Sequence, residues 1–540
     1  MRKQGDMDVL RMAAIAAMVA LVGVSAGAPA PNLVPTEPAT AANYWCTWYA
    51  QNYWIQRGGE ITDFEGINNP NAREELTYEA VFNEKDGWAS TYLPRGRSDF
   101  FFLIDHGWQT KVAAERTVPG AAPFFSLQID ARDFPKYAGV SPRESLRLFN
   151  EDIKGLGWRG LGIWVRGNVP AEAARTFVAW SKYAGIEYWK IDGGGTKHFY
   201  SFKAKQEIYP ELQLEYITGS NGPLNPNWDK PGLLAYSSVY DIGGPRQKAM
   251  LAVLQNTDTF RTYDAAPILV TTTTMRRTHD ILKQTQNDPR YRAVLNLQDD
   301  PQAAAGLGCL ISSKRHPNYM ERTYKGKDLH HQIRGKRMIQ KRMNEIERFG
   351  RWQRIAPAFA AGVGSYKAAD FDLIDRYRHT ESDTWFKPCW GKMVHQSAPA
   401  VMARNMPLPK VVVEGDAPYV MASTYPNGPV AVATEGRVKP EDQWYHPCAR
   451  VTVRIADAAQ PIGVFGHYRE LVLQFAESIE QAKNIWVQDL LADRATDITG
   501  KVKIRGGTLT IPGTLIDQIG TSAGDAGDIS VPGLVLKIQR

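Results

Sequence analysis

Along residues 44–406, short apolar runs alternate with longer segments in which apolar residues recur at helical spacing. This alternation is typical of repeated βα units, in which a helix follows each buried parallel strand. A further apolar run at residues 124–129 is interpreted as a hairpin outside the main sheet. The pattern predicts an α/β fold, a (β/α)8 TIM barrel. The predicted strands are residues 44–48, 100–104, 161–165, 188–192, 212–216, 259–262 and 294–297, with an eighth near residues 356–359.

The clearest of these units follows the strand at residues 161–165. A helical run from residue 170 to 184 carries apolar residues on one side, and Gly185 stands in the usual position to end it. The next strand, Tyr188–Asp192, ends in an acid that three glycines follow. Earlier in the chain, Ser-Pro-Arg-Glu at residues 141–144 predicts a capping box with proline at the first helical position.

After Pro409 the apolar residues fall at every second position, which is typical of half-buried strands. Val451, Val453 and Ile455 alternate with polar residues, and residues 502–511 read as a hairpin that turns at two glycines. We therefore predict a C-terminal antiparallel β-sandwich that packs on the barrel; a carbohydrate-binding role for it is an open alternative. The predicted divisions are 1–42, a signal peptide and Pro/Ala-rich linker, 43–406, the catalytic barrel, and 407–540, the sandwich.

The first residues are typical of a targeting signal. Arg2, Lys3 and Arg11 accompany an apolar run at residues 12–24, which is too short to span a membrane as a mature helix. No other segment reaches the roughly 18 uninterrupted apolar residues that a span requires. Small residues at 26–28 or at 39–41 are alternative cleavage sites. We expect an exported protein, periplasmic or secreted, without a membrane span.

Charge and cysteine content narrow the classes of partner. The formal net charge is +7, and much of the excess lies between residues 314 and 354. A solvated helical face explains such a stretch, and attraction of an acidic polymer is the alternative. No zinc-finger, homeodomain or RNP pattern is present, so nucleic acid is not an expected partner.

The four cysteines match no metal site, and we expect neither metal nor cofactor. Cys389 and Cys448 share Pro-Cys contexts that allow a disulfide.

Asp192 is the first candidate for a catalytic group. Barrel enzymes place their chemistry at the carboxyl ends of the parallel strands, and the glycines after Asp192 leave its carboxylate open. The alternative is a structural acid that caps a turn. Lys190, two residues earlier on the same strand, points to the same face and would help keep Asp192 ionised. For Lys190 the alternative is an ion pair within the barrel.

Four motifs together resemble the melibiase clan, glycoside hydrolase families 27 and 36, the α-galactosidases and their relatives. They are Ile-Asp-His-Gly-Trp at 104–108, Gly-Leu-Gly-Ile-Trp at 160–164, Lys-Ile-Asp at 190–192 and Arg-Thr-Tyr-Asp at 261–264. The resemblance covers residues 44–406, and the sandwich also matches that architecture. It implies a retaining, exo-acting α-glycosidase that forms a covalent glycosyl-enzyme on an aspartate.

The resemblance also implies roles for single residues. Asp192 falls on the nucleophile, and Asp264 is the best candidate for the acid/base. Lys190 falls on a sugar-hydroxyl contact, and Arg261 would bind a hydroxyl near the reacting carbon. The implied substrate is an oligosaccharide or polysaccharide with a terminal α-linked galactose or a modified relative of galactose.

Two departures from the family pattern affect these expectations. The family usually carries paired aspartates after the second strand, whereas here Asp105 is followed by His106, which can donate a hydrogen bond or carry positive charge. The sugar is therefore expected to differ from galactose at O4 or O6 or to bear an anion; the alternative is a tolerated histidine that still binds galactose. Arg261 and Asp264 are also three residues apart rather than four. The fallbacks for the acid/base are Asp258, Asp241 and Glu215.

The remaining candidates surround these residues. Asp105 is expected to accept hydrogen bonds from a sugar hydroxyl, and Glu215 either does the same or is structural. Trp108 and Trp164 either stack on a pyranose face or pack at the barrel edge. Asp299 and Asp300 follow another strand and resemble an acidic strand end of the family. Two other functions stay open: a transglycosylase on the same scaffold, and a carbohydrate-binding protein without turnover.

Overall fold

The computed structural model describes residues 30–53, 72–110, 127–167, 169–192, 198–217, 245–262, 271–313, 323–324, 327–328, 335–378, 393–439 and 443–540. The predicted signal peptide lies outside these residues. The helices are α1 Trp48–Tyr53, α2 Tyr78–Phe82, α3 Trp88–Thr91, α4 Pro142–Gly155, α5 Ala171–Ala184, α6 Tyr200–Ile208, α7 Pro245–Gln255, α8 Thr271–Thr285, α9 Pro301–Leu307, α10 Gly335–Ile355 and α11 Gly513–Gly520. Short 3₁₀ turns lie at Arg97–Asp99, Pro135–Tyr137 and Thr499–Lys501. None of the helices in this part of the chain has both the length and the apolar character to cross a bilayer.

The first sheet is a (β/α)8 barrel, as predicted. Its strands are β1 Tyr44–Cys46, β2 Phe101–Ile104, β3 Gly160–Arg166, β4 Tyr188–Asp192, β5 Gln213–Tyr216, β6 Thr259–Arg261, β7 Val294–Asn296 and β8 Ser312–Ser313. They pair in the order β7-β6-β5-β4-β3-β2-β1-β8, and every pair is parallel. A parallel bridge between Asn296 and Leu310 joins the two ends of this order and closes the barrel.

The eighth strand is not where the sequence predicted it. Residues 356–359 follow α10, and Phe359 is buried against Tyr425 of the C-terminal region, with ring centroids 5.3 Å apart. The strand is instead Ser312–Ser313, which pairs with β1. Two serines carry no hydrophobic signal, whereas Ala356 and Phe359 are buried outside the sheet, Phe359 against the C-terminal region.

Helices α4 and α5 show which local signals held. Helix α5 ends at Gly185, whose φ of 66° is left-handed and favours glycine, as predicted. Helix α4 begins at Pro142 after Ser141, but the serine side chain makes no capping hydrogen bond. Glu144 instead accepts from Arg147 and from Tyr183 (2.8 Å), so the predicted capping box does not form.

Within the described residues, the strands after β8 form two large stacked sheets and three small antiparallel pairs. The outlying strands are β9 Thr323–Tyr324, β10 Lys327–Asp328, β12 Asp372–Arg378, β13 Met393–Pro399, β18 Arg437–Lys439 and β19 Gln443–Tyr445. The eight-stranded sheet runs β11 Tyr366–Ala368, β14 Val401–Arg404, β16 Tyr419–Thr424, β17 Val430–Glu435, β21 Ile462–Phe465, β27 Gly533–Gln539, β23 Asn484–Asp489 and β24 Thr496–Asp497. The five-stranded sheet runs β15 Lys410–Val413, β20 Ala449–Ile455, β22 Glu470–Phe475, β26 Thr508–Pro512 and β25 Lys503–Arg505.

The sandwich follows the predicted alternation. Val451, Val453 and Ile455 are buried between the two sheets, and Ile504 pairs with Leu509 in the predicted hairpin. The sheets are mostly antiparallel, but the pairs β14–β16, β17–β21 and β20–β22 are parallel. Strands β11 and β14 precede Pro407, so pairing in the eight-stranded sheet crosses the domain division expected from the sequence.

The eight-stranded sheet is a middle layer that packs on the barrel through α9. Ser423 Oγ donates to the Gly306 carbonyl over 2.6 Å, and Tyr425 Oη donates to the Ala305 carbonyl over 2.7 Å. A Cβ on Gly306 would lie only 2.7 Å from the Met421 Cβ, so the close approach of helix and sheet requires glycine there. Buried residues of this sheet face belong to the same apolar cluster as the barrel helices.

Residues 31–42, predicted to be part of a linker, pack on both domains. The Ala495 N–H donates to the Pro31 carbonyl over 2.8 Å, and the Ala39 N–H donates to Asp99 Oδ1 over 2.8 Å. Arg159 donates to the Thr40 carbonyl over 3.0 Å and to the Ala41 carbonyl over 2.7 Å. Ala39 and Ala41 are buried, so this segment contributes side chains to the fold.

We expect a chain that begins at Asn43 to be less stable than one that begins at Pro31. The shorter chain loses the buried side chains of this segment and the carbonyls that Arg159 binds. A loss of about 3 kcal/mol would lower the apparent melting temperature by roughly 3 °C. Thermal melts of the two purified chains by circular dichroism measure this difference; equal melting temperatures would show that residues 31–42 act only as a linker.

Candidate active site at the carboxyl edge of the barrel

Strand β4 supplies the residues from which the site is built. Trp189 and Ile191 pack outward among the helices, and Trp189 Nε1 donates to Ser181 of α5 over 3.0 Å. Tyr188, Lys190 and Asp192 alternate with them and point into the barrel. Tyr188 is fully buried, Lys190 is 3% exposed, and Asp192 is partly exposed. The Asp192 carboxylate therefore lies where the barrel interior opens at its carboxyl edge.

Asp105, at the end of β2, forms a buried ion pair with Lys190. Asp105 Oδ2 accepts from Lys190 Nζ and, over 3.1 Å, from Cys46 Sγ; Oδ1 accepts the His106 N–H over 2.8 Å. Burial raises the pKa of the Asp105 carboxyl, but Lys190 and these donors outweigh it, and the net pKa is below the ordinary value. Burial lowers the pKa of the Lys190 ammonium, but the negative charges of Asp105 and Asp192 together with Cys46 outweigh it, and the net pKa is above the ordinary value.

This geometry alters the expected roles of both residues. Lys190 pairs directly with Asp105, which is the barrel ion pair that the sequence left as an alternative, and acts on Asp192 only through space. Asp105 is 1% exposed and already accepts several hydrogen bonds. A sugar hydroxyl would reach Asp105 only at the floor of the site.

His106 is stacked on Trp164. The two ring centroids are 4.2 Å apart and the planes differ by 10°. Trp164 Nε1 in turn donates to Asp192 Oδ2 over 3.3 Å. His106 thus holds the indole whose N–H binds the candidate nucleophile, and this contact with Trp164 was not foreseen from the sequence.

His106 is also neutral at physiological pH. Burial lowers its pKa most, and the nearby positive charge of Arg73 lowers it further, to about 3. The expectation that His106 could carry positive charge is therefore wrong, because the residue is only 8% exposed and Arg166 and Lys190 also oppose its protonation.

Trp108 belongs to the packing around the site. Its side chain is fully buried, and its Nε1 donates to the Trp164 carbonyl over 3.1 Å. Packing at the barrel edge is thus the alternative that the structure favours over stacking on a sugar. Trp164 is 3% exposed, with one face against His106 and the ring nitrogen toward Asp192.

Glu215 and Arg261 lie inside the barrel instead of at its open edge. Both are fully buried, and Arg261 Nε lies 3.2 Å from Glu215 Oε1. Glu215 Oε2 accepts from Tyr44 Oη over 2.7 Å and from Tyr188 Oη over 3.0 Å, and Asn296 Nδ2 donates to Oε1 over 3.3 Å. The structural role left open for Glu215 fits this cluster, and the guanidinium of Arg261 is engaged by Glu215 and Tyr44.

The acid/base candidates are only partly covered by the described residues. Asp264 and Asp241 lie outside them, as do Gly193 to Gly195. Asp258 precedes β6, at the amino edge of the barrel, and accepts from Lys205 Nζ over 2.7 Å. Asp258 therefore lies at the opposite edge from Asp192, and burial raises the pKa of its carboxyl.

The acidic pair after β7 lies at the carboxyl edge. Asp299 is 6% exposed, and Asp300 is the residue that precedes α9. Gln298, just before them, has a left-handed φ of 55°, and its N–H donates to Asn296 Oδ1 over 2.9 Å. This turn directs the chain from β7 into α9. Within the described residues, no group of three histidine, cysteine or acidic side chains is arranged to hold a metal ion.

Sequence reasoning missed several members of the buried interior. Tyr188 has the same parity on β4 as Lys190 and Asp192, so its inward orientation could have been inferred from strand alternation. Tyr44 and Asn296 gave no such signal, because β1 and β7 are each three residues long. Arg73 was missed because it lies on a loop whose position depends on tertiary contacts: Gln51 Nε2 donates to the carbonyls of both Ala72 (3.0 Å) and His106 (2.8 Å).

The comparisons with known proteins do not identify a family. No protein-family model matches this chain, and no curated protein matches its sequence. Among solved structures, the carboxyl transferase domain from Rhizobium etli pyruvate carboxylase with pyruvate aligns at 12% identity, over 62% of this chain and 56% of that one. The aligned part is little more than half of that domain, and the TM-score is 0.24. A likeness at this level carries no argument about fold or function.

We expect the free energy of unfolding to decrease as the pH is lowered, and we expect His106 to contribute to this decrease. Between pH 6.5 and 4 the unfolded chain binds a proton at this histidine and the folded chain does not. Stability is therefore lost as pH falls below 6.5, by about 1.4 kcal/mol per pH unit from this group.

Melting temperatures of the wild type and of His106→Asn, measured from pH 7 to 4.5, test this expectation. The wild type should lose more of its melting temperature on acidification than the variant does. The same substitution at His198, which is exposed, serves as the matched control. A difference between wild type and His106→Asn that stays constant over this range would contradict a lowered pKa at His106.

Proposed function

We propose that this protein is an exported, retaining α-glycoside hydrolase that removes a terminal α-linked galactose, or a modified relative, from an oligosaccharide or polysaccharide. The observation that carries the proposal is the position of Asp192. It is the last residue of a barrel strand, it is partly exposed at the carboxyl edge, and Trp164 Nε1 donates to its carboxylate. Barrel enzymes use this edge for catalysis.

The surroundings of Asp192 fit a nucleophile. A nucleophilic carboxylate must stay ionised, and both the Trp164 N–H and the Lys190 ammonium favour the charged form. The hydrogen bond from Trp164 also fixes the orientation of the carboxylate, because the indole is held by the His106 ring on one face. A positioned nucleophile loses less orientational freedom on reaching the transition state.

In the proposed reaction, an Asp192 oxygen attacks the anomeric carbon while the bond to the leaving oxygen breaks. Asp264 gives its proton to that oxygen, and a covalent glycosyl-aspartate is formed. A water molecule then attacks the same carbon, Asp264 takes a proton from the water, and Asp192 is released with the anomeric configuration retained. Retaining pairs of carboxyl groups lie about 5–5.5 Å apart, so the proposal requires the Asp264 carboxylate within that distance of Asp192.

His106 bears on the choice of sugar. An aspartate at this position would place a second carboxylate beside Asp105, whereas the histidine is neutral and stacked on Trp164. A sugar that lacks or modifies a hydroxyl at O4 or O6 would lose nothing from the missing carboxylate. We therefore propose that the preferred sugar is a modified relative of galactose, with plain galactose as the alternative that the same assay tests.

Substitution of Asp192 by asparagine should abolish hydrolysis. The purified protein is assayed with p-nitrophenyl α-galactoside beside other α- and β-glycosides, including β-L-arabinopyranoside. On any substrate that is cleaved, we expect kcat/KM to fall by about 10³-fold or more in Asp192→Asn. The same substitution at Asp493, which is highly exposed, should change nothing.

The outcomes of this assay separate the candidate functions. Release from the α-galactoside makes His106 a tolerated variation, and release only from another glycoside makes it a determinant of specificity. Full activity in Asp192→Asn would contradict the proposal, as would an inverted first product seen by NMR. A larger ratio of transfer to hydrolysis when acceptor sugars are added would identify a transglycosylase, and sugar binding without turnover on any glycoside would indicate a binding protein.

The role of Asp264 has its own test. A general acid matters most for a poor leaving group, since p-nitrophenolate departs without a proton. In Asp264→Asn we expect hydrolysis of an alkyl or sugar glycoside to fall by at least about tenfold more than hydrolysis of the aryl glycoside. An equal loss on both substrates would remove Asp264 from the acid/base role. Asp299→Asn and Asp300→Asn, assayed on the same two substrates, are the next variants to measure.

A further inference from the structure

The five-stranded sheet has one face in the core and one face in solvent. Along β20 the residues Val451, Val453 and Ile455 are buried, while Arg450 and Arg454, at alternate positions, are exposed. Neighbouring strands alternate in the same way, so the outer face is a set of side-chain rows that cross the sheet.

The strand registers define two of these rows. In the first, Arg454 pairs with Gln474, Gln474 with Thr508, and Thr508 with Arg505. This first row therefore has an arginine at each end and an amide and a hydroxyl between them. Its two arginines are three strands apart, a distance of about 14 Å.

The second row runs beside the first. Lys410 pairs with Thr452, Thr452 with Val472, Val472 with Thr510, and Thr510 with Lys503. This row too carries a cation at each end, and hydroxyl side chains lie between. The distance from Lys410 to Lys503 spans four strand spacings, about 19 Å.

These four cations are not neutralised by the protein. Lys410, Arg454, Lys503 and Arg505 are exposed, and across the described part of the chain none of them forms an ion pair. The acid of the neighbouring row, Glu470, is paired with a different residue: its Oε2 lies 2.9 Å from Arg450 Nε. The two rows therefore present positive charge beside hydrogen-bonding groups.

A groove follows the rows. Two adjoining cavities of about 460 Å³ and about 540 Å³ share Pro407, Arg454, Gln474 and Thr508. Val472, which is 3% exposed, contributes to the lining of the first cavity. Arg454, Gln474 and Thr508 of the first row line both cavities, and Lys410, Thr452 and Val472 of the second row line the first.

We propose that this groove binds an acidic polysaccharide, a sugar chain that carries carboxylate or sulfate groups. Arginine binds both anions through paired N–H donors, and the amide and hydroxyl side chains between the arginines can exchange hydrogen bonds with sugar hydroxyls. The two rows contain no aromatic side chain, so they lack the stacking platform that single-stranded nucleic acid uses. The site lies on the sandwich and would bind its polymer whether or not the barrel hydrolyses glycosides.

The test uses the full chain and compares two double variants. Arg454→Ala with Arg505→Ala removes the ends of the first row. Lys483→Ala with Lys537→Ala removes the same charge from exposed positions elsewhere on the sandwich. Binding to polygalacturonate, to a sulfated glycan and to neutral galactan is measured by affinity electrophoresis at several salt concentrations.

We expect the wild type and the lysine variant to bind polygalacturonate or the sulfated glycan, and the arginine variant to bind at least about tenfold more weakly. Neutral galactan should not be bound at this site. Melting temperature and hydrolysis of the small aryl glycoside should stay unchanged in both variants, which separates this site from the barrel. Gln474→Ala keeps the charge and should still weaken binding several-fold.

Three results would overturn the proposal. Equal binding by the two double variants would show attraction by net charge alone. Binding of duplex DNA or of phosphatidylserine vesicles as strong as that of the acidic glycans would assign the surface to a different anion. Failure of the wild type to bind either acidic glycan would leave the groove without this function, while a simultaneous failure of the glycosidase assay would concern the barrel alone.

Discussion

The barrel depends on two buried ion pairs, Asp105 with Lys190 and Glu215 with Arg261. Burial of a charge costs several kcal/mol, and removal of one partner from such a pair costs about 3–5 kcal/mol, because the other charge is then left without compensation. Each pair therefore constrains the strands that contribute to it. These strands must keep the register that brings the two charges within reach of each other.

The side chains inside the barrel differ in polarity from one end of its axis to the other. Toward the amino edge it is filled by apolar and aromatic side chains, among them Phe101 and Leu103. The ion pairs follow, with the Tyr44 hydroxyl satisfying both Glu215 and Arg261. Asp192 comes last, where the barrel opens. A carboxylate there lies above charged groups that are already paired, so its own charge depends on Trp164, on Lys190 through space and on whatever enters the site.

The fold could be predicted from sequence wherever burial followed a regular period. Strand β4 matched its predicted bounds and most other strands matched within a residue or two, because both faces of a parallel strand are buried and the apolar run is continuous. The eighth strand could not be predicted: Ser312–Ser313 closes the barrel through backbone pairing with β1, and backbone pairing leaves no trace in side-chain polarity. The parallel pairs in the sandwich are a similar case, since alternation gives a strand its faces but not its neighbours.

The candidate site was predictable in its members but less so in their contacts. The sequence brought Asp105, Lys190 and Asp192 to one edge, yet which acid Lys190 pairs with depends on Å-scale geometry across strands β2 and β4. The depth at which Arg261 is buried could not be predicted from the sequence for the same reason. Strand parity shows that a side chain points inward, but the depth at which it meets a partner depends on the stagger of neighbouring strands.

The identity of the residue at position 106 changes which side chains contact each other in the site. A carboxylate at this position would repel Asp105 and would stay solvated, whereas the imidazole is apolar enough to be buried against Trp164. The stack fixes the indole, and the indole fixes Asp192 through its N–H. Instead of the sugar contact that the sequence resemblance implies for this position, His106 supports the candidate nucleophile. Under the proposed function, groups other than His106 would have to recognise the sugar, and Arg73 and Arg166 add positive charge near the His106 ring.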